Sequence, residues 1–276
     1  MKSTSSIFRI FLFLATLSFL GSCDKDSDTP ITEPDLSAIE ESLEVMQITE
    51  DMDYFTLTIL QSIGINGRLM DDPFEKICAG VSVDVNSDQK TITIDFGDGC
   101  TSPSGIVRKG KITITYTQNF LLPGATVTTN FIGYEVNGLK ITGVRTLVNQ
   151  AIDLINNQVT LKVTMENGQV TWPDNTFVTF NTDQIRVVKL GATGYEISIT
   201  GTANGQSREG APYSSNVTSA LVVKQDCVES GVLIPTSGVM DFTYEGFQLA
   251  IDYGQGNCDK TILISYPGGT KEITVD

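Results

Sequence analysis

The stretch VTLKVTMENG, residues 159–168, alternates without a break: Val159, Leu161, Val163 and Met165 on one parity, Thr160, Lys162, Thr164 and Glu166 on the other. Apolar and polar side chains at period two describe a strand with one dry face and one wet face. The same alternation returns in Ile112-Ile114-Tyr116, in Tyr195-Ile197-Ile199 and in Phe247-Leu249-Ile251-Tyr253. Asn-Gly occurs at 137–138, 167–168 and 204–205, each time between strand-like residues, and each predicts a hairpin. No helical run of useful length interrupts the chain after about Cys78, which argues against parallel βαβ units. The expected fold is mainly β, an antiparallel meander closing as a sandwich or an incomplete barrel.

Upstream the period changes. Leu36, Ile39, Leu43 and Met46 repeat at spacings of three and four, and Met52, Phe55 and Ile59 continue the stripe after a phase slip. This predicts a helical segment over 36–66, stopped at Asn66-Gly67 and packed by one face against the sheet. Residues 67–276 then form the all-β domain, undivided or built of two related halves, 67–150 and 151–276.

Two of its segments resemble each other. ITIDFGDGC (residues 92–100) and LAIDYGQGNC (residues 249–258) share an apolar residue, Ile-Asp-aromatic-Gly, a second Gly and a Cys, and a strand-like run follows each. Asp95-Phe96-Gly97 is also the magnesium-holding triplet of protein kinases, but the chain contains no histidine and so no H-R-D catalytic loop. A repeated strand-turn-strand corner explains both copies. The aromatic anchors the turn, the glycines permit positive φ, and Asp95 and Asp252 accept backbone N–H bonds. Calcium held by Asp95 and Asp98 is the competing reading, weakened by Gln255 in the second copy.

The N-terminus carries Lys2 and Arg9, an apolar run over residues 10–20, and then Leu20-Gly21-Ser22-Cys23. The run is too short to span a bilayer and reads as a signal peptide over 1–22. Its end resembles a bacterial lipobox, which implies lipid attachment at Cys23 as the mature N-terminus. Residues 23–35 are acidic and proline-bearing and read as a tether. Asp24, Asp26 and Asp28 resemble the surface-export signal of Bacteroidetes lipoproteins; they also open like an EF-hand loop, but Thr29 stands where its glycine belongs. Removing Lys2 and Arg9 takes the basic count from 18 to 16 against 33 acids, so the mature chain carries −17. That sign argues against nucleic acid as a partner and against direct adhesion to anionic lipid.

With Cys23 assigned to lipid, Cys78, Cys100, Cys227 and Cys258 remain, an even set that suits disulfides in an oxidising compartment. The sequence-local pairs, Cys78 with Cys100 and Cys227 with Cys258, are expected; a four-thiolate zinc site lacks any C-x-x-C spacing. TIDFGDGCT, GIVRKGKI (residues 105–112), GVRTLVN (residues 143–149) and DYGQGNCD (residues 252–259) together resemble a group of Bacteroidetes outer-membrane and surface lipoproteins. The resemblance implies an exported, lipid-anchored β protein and brings no catalytic residues with it.

Absence of histidine removes Ser-His-Asp and Cys-His pairs and every histidine-ligated metal site. A carboxylate pair of the glycosidase kind is the enzymatic option left, and with 33 acidic residues composition cannot single one out. No cofactor, metal or catalytic residue is expected. The expected role is that of a non-enzymatic accessory or structural subunit of an envelope protein assembly, anchored in the outer membrane and facing the cell surface. The alternative is a surface glycan- or small-ligand-binding module. Trp172 is its candidate contact, with tyrosines such as Tyr134 and Tyr213, although Trp172 shares strand parity with Val170 and so also suits the core.

Overall fold

A computed structural model describes residues 35–62, 77–78, 80–103, 105–192 and 194–275. Residues 33–276 form one compact unit. It begins with α1 (Ser37–Ser62) and continues with β1 (Ser82–Asn86), β2 (Thr91–Asp95), the two-residue β3 (Cys100–Thr101) and β4 (Val107–Tyr116). Then come β5 (Thr126–Val136), β6 (Leu139–Asp153), β7 (Gln158–Thr171), β8 (Phe177–Gly191), β9 (Gly194–Gln206) and β10 (Pro212–Lys224). After the short α2 (Gln225–Glu229) follow β11 (Ser237–Tyr244), β12 (Phe247–Gln255), β13 (Thr261–Tyr266) and β14 (Gly269–Thr274). Among the described residues no helix is long and apolar enough to cross a membrane.

All the strands belong to one antiparallel sheet in sequence order, with β3 beside β4, and the order does not close from β14 back to β1. The expected meander is thus a single open, curled sheet. One register row crosses all of it: Asn86, Thr91, Thr115, Thr128, Thr146, Thr164, Asp183, Thr202, Asn216, Asp241, Ala250, Ser265, Thr270. None of these is buried, and the β-branched threonines supply strand propensity on the outward face without burying carbon. The opposite parity is dry, with Ile92, Ile94, Ile112, Ile114, Val163 and Ile251 all inside.

The strands run steeply across the helix. Arg108, Arg145 and Arg186 all reach helix residues 50–53, yet they are the second residue of β4, the seventh of β6 and the tenth of β8. Such stagger is the shear of a barrel-like sheet. Register shifts in β4–β5, β5–β6, β6–β7 and β7–β8 supply the bulges that bend it.

The stripe that predicts α1 is buried as expected at Leu36, Ile39, Leu43, Met52, Phe55 and Ile59, while Met46 is only partly buried against the same core. The helix is enclosed further than one face requires. Ile48, Thr49, Glu50, Asp51, Met52, Asp53, Phe55 and Thr56 are all buried and together cover every side of it. Residues 63–66, the expected end of the helical segment, lie outside the described residues.

Asn137-Gly138 makes the expected two-residue hairpin between Val136 and Leu139, with φ of 49° and 83°. The other two Asn-Gly pairs do not. Asn167 (φ 51°) forms a bulge inside β7, and Asn204-Gly205 continues β9 between β8 and β10. The physical reason at Gly205 is close approach: a Cβ there would stand 1.8 Å from the Thr179 carbonyl oxygen. Glycine is needed for backbone contact at that position, not for a turn.

Candidate functional site: an ionic core, two stapled corners and an apolar rim

The disulfides and the aspartate bonds form as the repeat predicts, but only the first copy turns at the matching residues, since Asp252–Gln255 lies within β12 beside a register shift in its pairing with β11. Cys78 is bonded to Cys100 and Cys227 to Cys258, which answers the zinc alternative. Asp95 Oδ1 accepts the Gly97 N–H at 2.9 Å, and Asp252 Oδ1 accepts the Gly254 N–H at 2.8 Å. Phe96 and Tyr253 are both buried. Asp95 also pairs with Lys111 at 2.6 Å; the Lys111 and Gly97 bonds hold its carboxyl below the usual range.

Between the corners lies an ionic core that the sequence reading did not foresee. The helix segment Glu50-Asp51-Met52-Asp53 offers three carboxylates, and alternate strands answer with three arginines. Arg108 on β4 gives two bonds to Asp51, one of them Nε to Oδ2 at 2.9 Å, and a third from Nη1 to the Ile77 carbonyl at 3.1 Å. Arg145 on β6 holds Asp53 bidentately at 2.6 and 2.5 Å. Arg186 on β8 holds Glu50 at 2.6 and 2.9 Å and reaches Asp53 at 2.8 Å. Gln184 Oε1 accepts from the same guanidinium.

All six side chains are buried, so solvent screens none of these pairs. Burial pushes the Asp51 carboxyl up against the opposing pull of Arg108. Burial acts on Asp53 too, but Arg145 and Arg186 outweigh it and hold that carboxyl below its ordinary value. Tyr134, packed against the Asp51–Arg108 pair, has its hydroxyl pushed well up by burial. Buried pairs of this kind add little net stability over apolar packing, whereas losing one partner costs about 3–5 kcal/mol. Their effect is positional: three forks on three strands allow the helix one rotation and one height. Both oxygens of each carboxylate accept guanidinium N–H groups, so the pairs hold geometry and present no free base.

Two cavities adjoin this core. One, about 60 Å³, lies between helix and sheet and is lined by Val45, Met46, Phe180, Ile199, Leu221 and Met240. That is less than half the volume of an apolar cavity of about 150 Å³ that admits benzene, so it is too small for a lipid chain. The helix thus fills the space in which a lipocalin-like carrier would place its ligand. The other, about 230 Å³, opens between the corners over Asp51, Tyr54, Phe55, Arg108, Val228 and Glu229.

Trp172 is half-buried and engaged on two sides. Its Nε1–H donates to Glu44 at 3.1 Å, and the Arg208 guanidinium sits 4.7 Å over its ring. Arg208 is itself tied to Asp174 and Thr176, while its backbone N–H donates to Glu41. One face of the indole is therefore covered, and Tyr134 and Tyr213 are buried. Cys23 and Asp24, Asp26 and Asp28 lie outside the described residues.

Apolar side chains are exposed elsewhere. Of the nine large exposed ones among the described residues, five belong to three successive hairpins at one end of the sheet: Leu121 and Leu122 after β4, Leu154 and Ile155 after β6, and Leu190 at the end of β8. Leu154 is 84% exposed and Ile155 92%. The hairpins support one another, because Asn149 binds Phe120 and Gly124, and the Leu190 N–H donates to the Asn157 carbonyl. Sequence held a trace of this site in Leu154-Ile155, an apolar pair between Asp153 and Asn156 where a turn wants polar residues. Comparison with protein-family models, with curated proteins and with solved structures finds no match for this chain.

Proposed function

We propose that this chain is a non-enzymatic lipoprotein, anchored to the outer membrane through Cys23 and facing the cell surface, that serves as an accessory or structural subunit of an envelope protein assembly. The observation that carries the reading is the group of exposed apolar side chains on three adjacent, hydrogen-bonded hairpins. A chain formally at −15 has ample charge to cover its surface, and large apolar groups gathered at one end mark a contact. Two disulfides suit an exported protein. The buried carboxylates, tied in pairs, fit a rigid scaffold better than a general acid and base. The glycan alternative takes no support from Trp172, whose ring Arg208 covers.

Gentle detergent extraction through a C-terminal tag, followed by mass spectrometry, tests the subunit reading. A stoichiometric envelope protein is expected to remain bound. Recovery of the chain alone would overturn the reading.

A further inference from the structure

We infer that the cavity of about 230 Å³ between the two disulfides is a binding site for a small organic cation on an apolar stem, an alkyl ammonium or guanidinium group. The inference goes beyond the subunit reading and does not depend on it. An apolar cavity of about 150 Å³ admits benzene, so this one has room for a charged head and a stem of about six carbons. Its walls are fixed before any ligand arrives. Ile77 adjoins Cys78 and Val228 adjoins Cys227, so each disulfide holds one wall residue in place. Arg108, bonded to Asp51 and to the Ile77 carbonyl, fixes the floor. A site assembled in advance loses little entropy on binding.

Charge decides the class of ligand. Among the described residues three charged side chains line the cavity, Asp51, Arg108 and Glu229. Asp51 and Arg108 are both buried and neutralise each other, since both oxygens of Asp51 accept guanidinium N–H groups. Glu229 is left over. It is exposed, and so stands at the mouth; its Oε1 accepts the Gln225 amide at 2.8 Å, and its Oε2 has no partner among the described residues. Half-buried Tyr54 lines the same space, its hydroxyl likewise without a partner among them. Burial, and then the charges of Glu229 and Asp51, push that hydroxyl up, so its proton stays on. The lining is thus left with one negative charge, in a chain formally at −15. An ammonium group finds Glu229 Oε2 and the Tyr54 oxygen as acceptors, whereas a carboxylate would face two of its own kind. The stem has Phe55, Ile77, Ile106, Val228 and Leu233 to lie against, the first two and Val228 buried. Apolar depth under an acidic mouth suits an amphipathic cation better than a sugar, whose hydroxyls would find few partners on those walls.

Titration calorimetry of the full chain, both disulfides intact, tests this with n-hexylammonium chloride. One saturable site with a dissociation constant of about 1 mM or tighter is expected. Hexanoate and hexan-1-ol are expected to bind about fivefold more weakly or less. Glu229→Gln, at an exposed position, should weaken the amine about fivefold and leave hexan-1-ol unchanged. Leu233→Trp, which fills the cavity from a partly buried position, should abolish binding of the amine. In the parent the amide resonances of Tyr54, Val228 and Glu229 should shift with the amine, which locates the site even where that variant fails to fold. No binding of the amine, hexanoate binding as tightly, an affinity that Glu229→Gln leaves unchanged, or shifts that fall elsewhere would overturn the inference. The source of the cation is read from the native protein. An amine released on heat denaturation makes it a free molecule, and a crosslink from benzoylphenylalanine at Leu233 to a lysine- or arginine-bearing segment of another protein makes it a side chain; both agree with the inference. A released fatty acid or other anion would contradict it. Failure of the titration leaves the subunit reading standing, and extraction of the chain alone would sink that reading without touching this one.

Discussion

Replacing Arg108 by Met removes one fork of the ionic core and leaves its volume nearly filled. Asp51 then loses two guanidinium bonds in a site where it is buried, and the Ile77 carbonyl loses its donor. An uncompensated buried charge costs about 3–5 kcal/mol, and the lost carbonyl bond adds about 1 kcal/mol. Burial already holds the Asp51 carboxyl above its ordinary value, so it protonates readily in the variant, which favours the lower end, about 4 kcal/mol in all. Asp51→Leu added to Arg108→Met removes the stranded charge as well, and the pair is expected to return to within about 1–2 kcal/mol of the parent. Urea unfolding of both single variants, the double variant and the parent, disulfides intact, closes the cycle. The pH dependence has a definite sign. A carboxyl whose folded pKa is raised opposes folding in full above that pKa, and the penalty fades as the pH falls from there to the unfolded pKa, so the deficit of Arg108→Met should shrink as the pH falls. Singles that each cost less than about 1 kcal/mol and simply add would refute the idea that these forks fix the helix.

Asp53 titrates in the opposite sense: its lowered carboxyl contributes stability that is present above the unfolded pKa and lost as pH falls through the folded one. Acid titration of stability should therefore be flatter below about pH 4 in Asp53→Asn than in the parent. Gly205→Ala pushes a methyl group against the Thr179 carbonyl and should cost about 3 kcal/mol, whereas Gly210→Ala, with open space around it, should cost about 1 kcal/mol; thermal melts rank the two. Removing the Cys78–Cys100 bond by a double serine substitution should lower stability by about 3 kcal/mol, and the same loss should appear on reduction of that bond in the parent.

What was legible in the sequence was whatever is decided locally. Strand parity survives because each side chain alternates sides whatever its neighbours are, and the corners at Asp95 and Asp252 are closed by a carboxylate two residues from the N–H it binds. Asn-Gly misled at two of three places, since a bulge and a close backbone approach call for the same residues as a turn does. The ionic core was not legible because its partners stand 57, 92 and 136 residues apart. Glu50, Asp51 and Asp53 resemble the wet side of a one-faced helix, and become interior only when the sheet curls around them. One hint was available: Arg145 and Arg186 share the inward parity of Leu147 and Val188, an expensive place for an unpaired charge.

The most direct test of the account is the intact mass of the protein taken from its native membrane. The account expects a chain beginning at Cys23 and carrying lipid on that residue. An unmodified chain beginning elsewhere would contradict it.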